Sequence, residues 1–166
     1  LLPMHRGPSS INWPIIQGST KTGLSIFWPD NGLDEGPILM QKECDITADD
    51  TLGSVYFDKL FPMGVAAMLE SVDLVKAGKA PKIDQDLSKG SYESWAKASI
   101  AEVDWSKPAA EIHNLIRGTD PAPGAWTMID DKKLGLFDCR RIDDTVGDAG
   151  TVVAVSDEGI TIAAGD

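Results

Sequence analysis

Two apolar, strand-like runs separated by turn-forming residues constrain the fold of this chain more than any other feature. The runs Gly23–Trp28 and Ile38–Gln41 are rich in Ile, Leu, Phe and Trp, a composition that favours β-strands. Between them, Pro29–Gly32 interrupts the pattern with residues typical of turns. The segment therefore predicts two strands joined by a loop, and that loop carries a carboxylate at Asp34.

Asp34 lies between Gly32 and Gly36. Glycine can adopt a positive φ without a Cβ clash, so we expect these two residues to bend the loop sharply and to bring the backbone close to a bound molecule. This arrangement suits a residue that contacts a ligand. The alternative is that Asp and Gly serve turn chemistry alone, as they do in many loops that connect strands.

Short motifs along the chain resemble those of the folate-dependent formyltransferase superfamily. They follow one another in the order L-L-P-x-x-R-G at Leu1–Gly7, G-L-D-x-G at Gly32–Gly36, I-H-N-x-I-R at Ile112–Arg117 and P-G-A-W at Pro123–Trp126. Their order and spacing resemble that superfamily over nearly all 166 residues.

Within the superfamily, the chain is most similar to the amino-terminal hydrolase domain of 10-formyltetrahydrofolate dehydrogenases. This closer resemblance is carried by Ser25–Asp30, Met40–Cys44 and Ile116–Trp126. Methionyl-tRNA formyltransferases are the nearest competing branch.

The resemblance implies an α/β fold in three parts. Residues 1–80 would form the C-terminal part of a Rossmann-like formyltransferase catalytic domain, and residues 81–105 a connecting segment. Residues 106–166 would form an incomplete, small OB-like β-barrel domain.

Local signals predict where helices occur in the first part. Ser9 or Ser10 is a candidate cap for a short helix that ends at Gly18, and Thr47–Asp50 resembles the start of a helix that continues to Leu60. A second helix is predicted from about Met63 to Lys76, ended by Gly78. Its helically spaced apolar stripe predicts core packing and consists of Val65, Met68, Leu69, Val72 and Val75.

The second part begins after a polar stretch, Ala80–Gly90, which we expect to be an exposed connection. Tyr92–Ser99 is a weak helix candidate. Pro108–Arg117 is a stronger one, with Ser106 as its cap, Gly118 as its end, and an inward face formed by Ile112, Leu115 and Ile116. Four short apolar runs then predict strands, at Ala125–Ile129, Leu134–Phe137, Thr151–Val155 and Ile160–Ala163.

The resemblance also implies the site. Asp34 would be the catalytic carboxylate because of its place in G-L-D-x-G, and the residues implied to bind folate are Leu1, Leu2, Pro3, Arg6, Asp30, Gly32 and Leu33. For Arg6, a structural ion pair is an equally good interpretation. The family's catalytic His precedes the L-L-P motif and has no counterpart here, so we expect the chain to be a fragment. His5 is expected to be structural. His113 and Arg117 share a helix face and could bind a carboxylate together, but the favoured interpretation is a structural one, in which they satisfy carbonyls or an acidic side chain.

The implied activity is hydrolysis or transfer of the formyl group of 10-formyltetrahydrofolate, with tetrahydrofolate as cofactor and no metal. Any NADP requirement would lie in a domain absent from these residues, which contain no dinucleotide-binding fingerprint. The alternatives are a methionyl-tRNA or sugar-nucleotide formyltransferase, or a non-catalytic folate-binding fragment.

Charge separates these candidates. Fifteen Lys and Arg against 26 Asp and Glu give a net charge of −11, whereas proteins that grip tRNA usually present a basic surface, so a tRNA substrate is disfavoured. No run is long and apolar enough to span a bilayer, and two cysteines are too few for a disulfide framework. We therefore expect a cytoplasmic protein with reduced thiols whose partners are reduced folate and other domains of a longer polypeptide, and homo-oligomerisation is left open.

Overall fold

A computed structural model describes residues 1–142 and 147–166. Its first part is built on an antiparallel hairpin of β1 (Lys21–Phe27) and β2 (Ile38–Asp45). The pairing runs from Lys21 opposite Asp45 to Ile26 opposite Met40, and a bulge shifts the register before Phe27. Both predicted strands are confirmed, and β2 continues four residues beyond its predicted end because Lys42–Asp45 stay paired with β1.

The first helix, α1 (Asn12–Ile16), precedes the hairpin. The prediction that Ser9 or Ser10 caps it is wrong: Ile11 occupies the cap position without a side-chain hydrogen bond. The Ser9 hydroxyl instead accepts a hydrogen bond from the Ala96 backbone N–H at 2.9 Å. Gly18 follows the helix with a φ of +75°, consistent with its predicted role as a helix end.

A continuous helical run follows β2. It consists of α2 (Leu52–Ser54), a π-helical turn (Val55–Leu60) and α3 (Phe61–Lys76). Thr51 caps the run through a reciprocal capping box with Ser54, so the helix begins later than Thr47–Asp50 predicted. Asp50 does not continue a helix because its carboxylate accepts hydrogen bonds from the Thr47 N–H and the Ser54 hydroxyl, at 2.7 and 2.8 Å.

The prediction that the apolar stripe of α3 is core packing is wrong. The stripe is exposed, with Val65 and Met68 at 51% and Leu69 at 66%. The face of α3 that is buried carries the small residues Ala67 and Ser71, and it lies toward the hairpin. Helical spacing identifies an apolar face but not which neighbour covers it, and among the described residues none covers this one.

The second part begins with α4 (Ala109–Thr119), which packs against α1. Its predicted inward residues are confirmed, since Ile112 and Ile116 are buried and Leu115 packs beside them. Its bounds agree with the predicted Pro108–Arg117 within two residues, but the predicted cap and terminator are wrong. Ser106 bonds to Asp104 instead of capping, and Gly118 lies inside the helix.

The four predicted C-terminal strands are confirmed within a few residues. They form two antiparallel hairpins, β3 (Ala125–Ile129) with β4 (Lys132–Leu136), and β5 (Val152–Ser156) with β6 (Gly159–Ile162). The prediction of a helix at Tyr92–Ser99 is wrong, because that segment forms a bridge with Arg6 and then turns.

The buried apolar residues form two clusters. Ile15, Ile46, Val55 and Leu60 form the first, and Val103, Ile112, Ile116 and Ala125 form the second. In the part of the chain that the structure describes, no helix has the length and apolar character required to cross a bilayer.

Candidate functional site

A cavity of about 700 Å³ opens between the amino-terminal residues, β1 and the exposed face of α3. Its walls are mostly apolar, and Asp34 and His5 supply ionisable groups to its lining. Leu1, Leu2 and Leu24 contribute aliphatic surface beside them. The structure thus brings Leu1, Leu2 and Asp34 to one concave surface, although Asp34 lies 32 positions after Leu2 in the chain.

The Asp34 side chain is held at one oxygen. Its Oδ2 atom accepts a hydrogen bond from the Gly7 N–H at 3.1 Å, and no described residue donates to Oδ1. Asp34 itself takes a φ of +57°, a conformation that Asp tolerates better than most residues. The carboxylate is therefore oriented by the backbone while one oxygen stays available to a second donor.

The expectation that Gly32 and Gly36 supply the sharp bend through positive φ is wrong, because neither has a positive φ. Gly36 is required by a close approach instead. A Cβ at that position would lie 1.8 Å from the Trp28 carbonyl oxygen, which is backbone and cannot move aside cheaply. At the other end of the loop, the Gly32 N–H donates to Asp30 Oδ1 at 2.8 Å, a local turn contact.

Among the residues predicted to form the site, Asp34, Leu1 and Leu2 line the cavity together. The structure places five others outside its lining, namely Pro3, Arg6, Asp30, Gly32 and Leu33. Arg6 Nη1 pairs with Glu35 Oε1, and its Nε donates to the Ser91 carbonyl at 3.4 Å. Of the two interpretations of Arg6, the ion pair is the one the structure shows.

His5 was expected to be structural only, yet it lines the cavity with Asp34. Its Nδ1 lies 3.3 Å from Glu93 Oε1 without forming a well-aligned hydrogen bond. Burial lowers the pKa of His5, and the negative charge of Glu93 opposes that shift. The sequence gives no signal that His5 and Glu93 lie side by side, because they are 88 positions apart in the chain.

Two family models cover most of the chain. Residues 1–71 match the formyl transferase model, and residues 97–166 match the formyl transferase C-terminal domain. The chain belongs to the formyl transferase family. Its fold is the mixed α/β fold of that family, and it resembles HypX from Aquifex aeolicus in complex with tetrahydrofolic acid with a TM-score of 0.80 over 98% of this chain and 28% of that one, at 21% identity.

Curated formyl transferase relatives are more similar in sequence. Cytosolic 10-formyltetrahydrofolate dehydrogenase from Homo sapiens is 48% identical over 82% of this chain and 15% of its own length. Methionyl-tRNA formyltransferase from Syntrophus aciditrophicus is 38% identical over 100% of this chain and 53% of its own length. The chain thus spans about one seventh of the dehydrogenases it matches and about half of the tRNA enzyme.

Gln41 holds the cavity wall of this formyl transferase chain in place. Gln41 Nε2 donates to the Leu2 carbonyl at 2.7 Å and to the Ser25 hydroxyl at 2.9 Å. Strand β1 and strand β2 therefore both position the amino-terminal segment against the cavity. Sequence reasoning missed Gln41 as a positioning residue, because it was assigned only to a strand.

His113 and Arg117 lie away from Asp34, beside a smaller cavity of about 300 Å³. Arg117 is only 7% exposed, and its Nη1 donates to the carbonyls of Thr47 and Asp50 at 2.9 and 3.1 Å. This agrees with the predicted structural role. Burial also raises the pKa of the neighbouring Cys139 to about 11, so that thiol is a poor nucleophile at neutral pH.

Proposed function

We propose that this chain forms part of an enzyme domain that hydrolyses or transfers the formyl group of 10-formyltetrahydrofolate, in the manner of the dehydrogenase relatives. The observation that carries the proposal is the cavity lined by Asp34, Leu1 and Leu2, in which only one oxygen of the Asp34 carboxylate accepts a hydrogen bond from a described residue. Its volume of about 700 Å³ and its apolar walls suit a ligand with a fused ring system. The HypX complex supports tetrahydrofolate as the ligand class.

Formyl transfer needs a nucleophile at the formyl carbon, donors for the oxyanion that forms, and a proton for the leaving nitrogen. Asp34 would serve the first need. With Oδ2 fixed by the Gly7 N–H, Oδ1 can accept a hydrogen bond from an attacking water, orient it and take its proton as the water adds to the formyl carbon. Leu1 and Leu2 would exclude bulk solvent from the same cavity.

Folate contacts by Pro3, Asp30, Gly32 and Leu33 stay predictions. Arg6 would act indirectly, because its pairing with Glu35 holds the residue next to Asp34. The NADP requirement of a dehydrogenase reaction would belong to other domains of a longer polypeptide. The proposed partners of this domain are therefore those other domains, joined to it in the same polypeptide.

The proposed domain organisation places catalytic structure in residues 1–80 and an OB-like domain in residues 106–166, joined by residues 81–105. The two family matches and the two separate hydrophobic clusters support a division in this region. The parallel bridge of Glu102 to Trp126 supports a C-terminal sheet that is larger than the β3–β4 hairpin.

The test is formate release from 10-formyltetrahydrofolate by the full-length protein. We expect Asp34→Asn to lower kcat by about 100-fold or more, because the amide cannot accept a proton from water. Asp73→Asn, an exposed carboxylate on α3, is the matched control and should retain wild-type turnover. Equal turnover in wild type and Asp34→Asn would remove Asp34 from the reaction.

A methionyl-tRNA formyltransferase is the second candidate. It is favoured by the relative from Syntrophus aciditrophicus, whose match extends over all of this chain. The acidic charge of −11 and the higher identity of the dehydrogenases oppose it. The two activities differ in the formyl acceptor, water or an aminoacyl-tRNA.

A further inference from the structure

We propose that Gln85 is a positioning residue for the Asp34 carboxylate, acting through the backbone of the loop that carries it. The inference rests on the proposed function and adds a residue from the predicted connecting segment to the machinery of the site. Gln85 Nε2 donates to the Asp34 carbonyl at 2.9 Å and to the Gly36 carbonyl at 2.6 Å. One side-chain amide thus links the backbone carbonyls of the two residues that flank Glu35.

The pairing of the chain explains why Gln85 reaches this loop. Ile38 and Ile83 form an antiparallel bridge, with N–H to carbonyl distances of 2.7 and 2.9 Å in the two directions. Continuing that register by two residues on each strand brings Gln85 opposite Gly36. The indole N–H of Trp28 donates to the Pro81 carbonyl at 2.9 Å, so the segment is also held at its start.

The orientation of the Gln85 amide is fixed by its partners. Both are carbonyl oxygens, which only accept hydrogen bonds, so the nitrogen must face them. The Oε1 atom is buried and has no hydrogen-bond partner among the described residues. The amide therefore presents both of its donors to the backbone of the Asp34 loop.

The contacts of Gln85 affect how the Asp34 carboxylate is oriented. Asp34 has a positive φ, and its Oδ2 hydrogen bond to Gly7 depends on where the loop backbone places its Cα. No other described side chain donates to the Asp34 and Gly36 carbonyls. Gln85 therefore fixes the loop backbone on both sides of Glu35, and losing it would misplace the Asp34 carboxylate without removing it.

The test compares Gln85→Glu with wild type in the full-length protein. The change keeps the shape of the side chain but directs a carboxylate oxygen at two carbonyl oxygens. We expect kcat for formate release to fall by about 10- to 100-fold, while KM changes less than about threefold because Gln85 is not part of the cavity lining. Gln17→Glu, at an exposed position after α1, controls for the added charge and should match wild type.

Two further readouts separate the possible failures. Hydrogen exchange of residues 30–37 should be faster in Gln85→Glu than in wild type, while exchange of β3 and β4 stays unchanged. This expectation does not depend on activity. If wild type releases no formate, the proposed function is refuted, but the exchange experiment still tests the contact of Gln85 with the loop. A lower melting temperature with unchanged kcat would overturn the positioning role and leave Gln85 a structural residue. Unchanged exchange in residues 30–37 would overturn the proposed loop contact itself.

Discussion

At Asp50, burial and hydrogen bonding act on one carboxyl group in opposite directions. Burial raises its pKa, but donation from Lys59, Thr47 and Ser54 to the carboxylate outweighs burial and lowers the pKa to about 2. The ordinary value is 3.8, so the folded protein prefers the charged form. A depressed pKa of this kind stabilises the fold above the unfolded-state pKa.

The stability of the protein should therefore decrease as the pH falls from about 4 toward 2. We expect Asp50→Asn to lower the free energy of unfolding at pH 7 by about 1–2 kcal/mol, allowing for solvent screening. The same substitution should reduce the loss of stability at acid pH, because the titrating group is gone. Urea unfolding at neutral and acid pH measures both effects.

The neighbouring Asp49 provides the control for that measurement. It is exposed, and Asp49→Asn should change the free energy of unfolding by less than about 0.5 kcal/mol. Equal losses in the two variants would contradict the assignment of the acid transition to Asp50.

Sequence reasoning located Asp34 but not what holds it. Turn residues between two apolar runs identify a loop, and a loop carboxylate between glycines is visible in the sequence. The contacts of Asp34 with Gly7 and Gln85 span 27 and 51 residues, and local patterns contain no information about such pairings. For the same reason the positive φ was assigned to the glycines, whereas hydrogen bonds from distant segments hold it at Asp34.

Among the helices, α1 and α4 approach each other at Gly118. A Cβ at Gly118 would lie 2.6 Å from Ile16 Cγ1 and 3.0 Å from the Ile16 backbone nitrogen. An added Cβ would therefore force the Ile16 side chain or the adjoining helix backbone to shift. The glycine that looked like a helix end therefore has a packing role, which only the contact between the helices reveals.

Gly118→Ala should destabilise the protein by about 1–3 kcal/mol, the cost of overpacking a close contact. An alanine in a helix is ordinarily more favourable than glycine by about 1 kcal/mol, so the sign of this effect identifies its cause. Thermal or urea unfolding of the variant provides the measurement.

Gly64 in α3 is the matched control. A Cβ there would meet only Leu24 Cδ2 at 3.6 Å, an ordinary contact. Gly64→Ala should thus stabilise the protein by about 0.5–1 kcal/mol. If Gly118→Ala were stabilising by a similar amount, the close approach of α1 and α4 would be refuted.

Over the whole molecule, the sequence predicted where the helices and strands lie better than which elements pack against one another. The hairpin, the long helix and the four C-terminal strands were all predicted, because periodicity and turn residues are local properties. The stripe of α3 was assigned to the core, yet Leu69 and Val65 are exposed. A stripe shows that a helix has an apolar side, and only the assembled chain shows what that side faces.

The net charge of −11 is also a property of the whole chain, and it yields a prediction about the formyl acceptor. We expect the full-length protein to release formate from 10-formyltetrahydrofolate but not to formylate methionyl-tRNA, because an acidic surface repels the phosphate backbone. Product analysis with both acceptors present makes the comparison. Formyl-methionyl-tRNA as the main product would favour the second candidate.

Gln85 lies outside both family-matched ranges, 1–71 and 97–166, yet it reaches into the Asp34 loop. A chimera spliced at the edges of those ranges would replace Gln85 and its two hydrogen bonds to this loop with a stretch from another protein. Residues 81–85 should therefore be transferred together with the β1–β2 hairpin when formyl transferase domains are exchanged. A splice point after residue 85 is the first that keeps the Asp34 loop and Gln85 from the same protein.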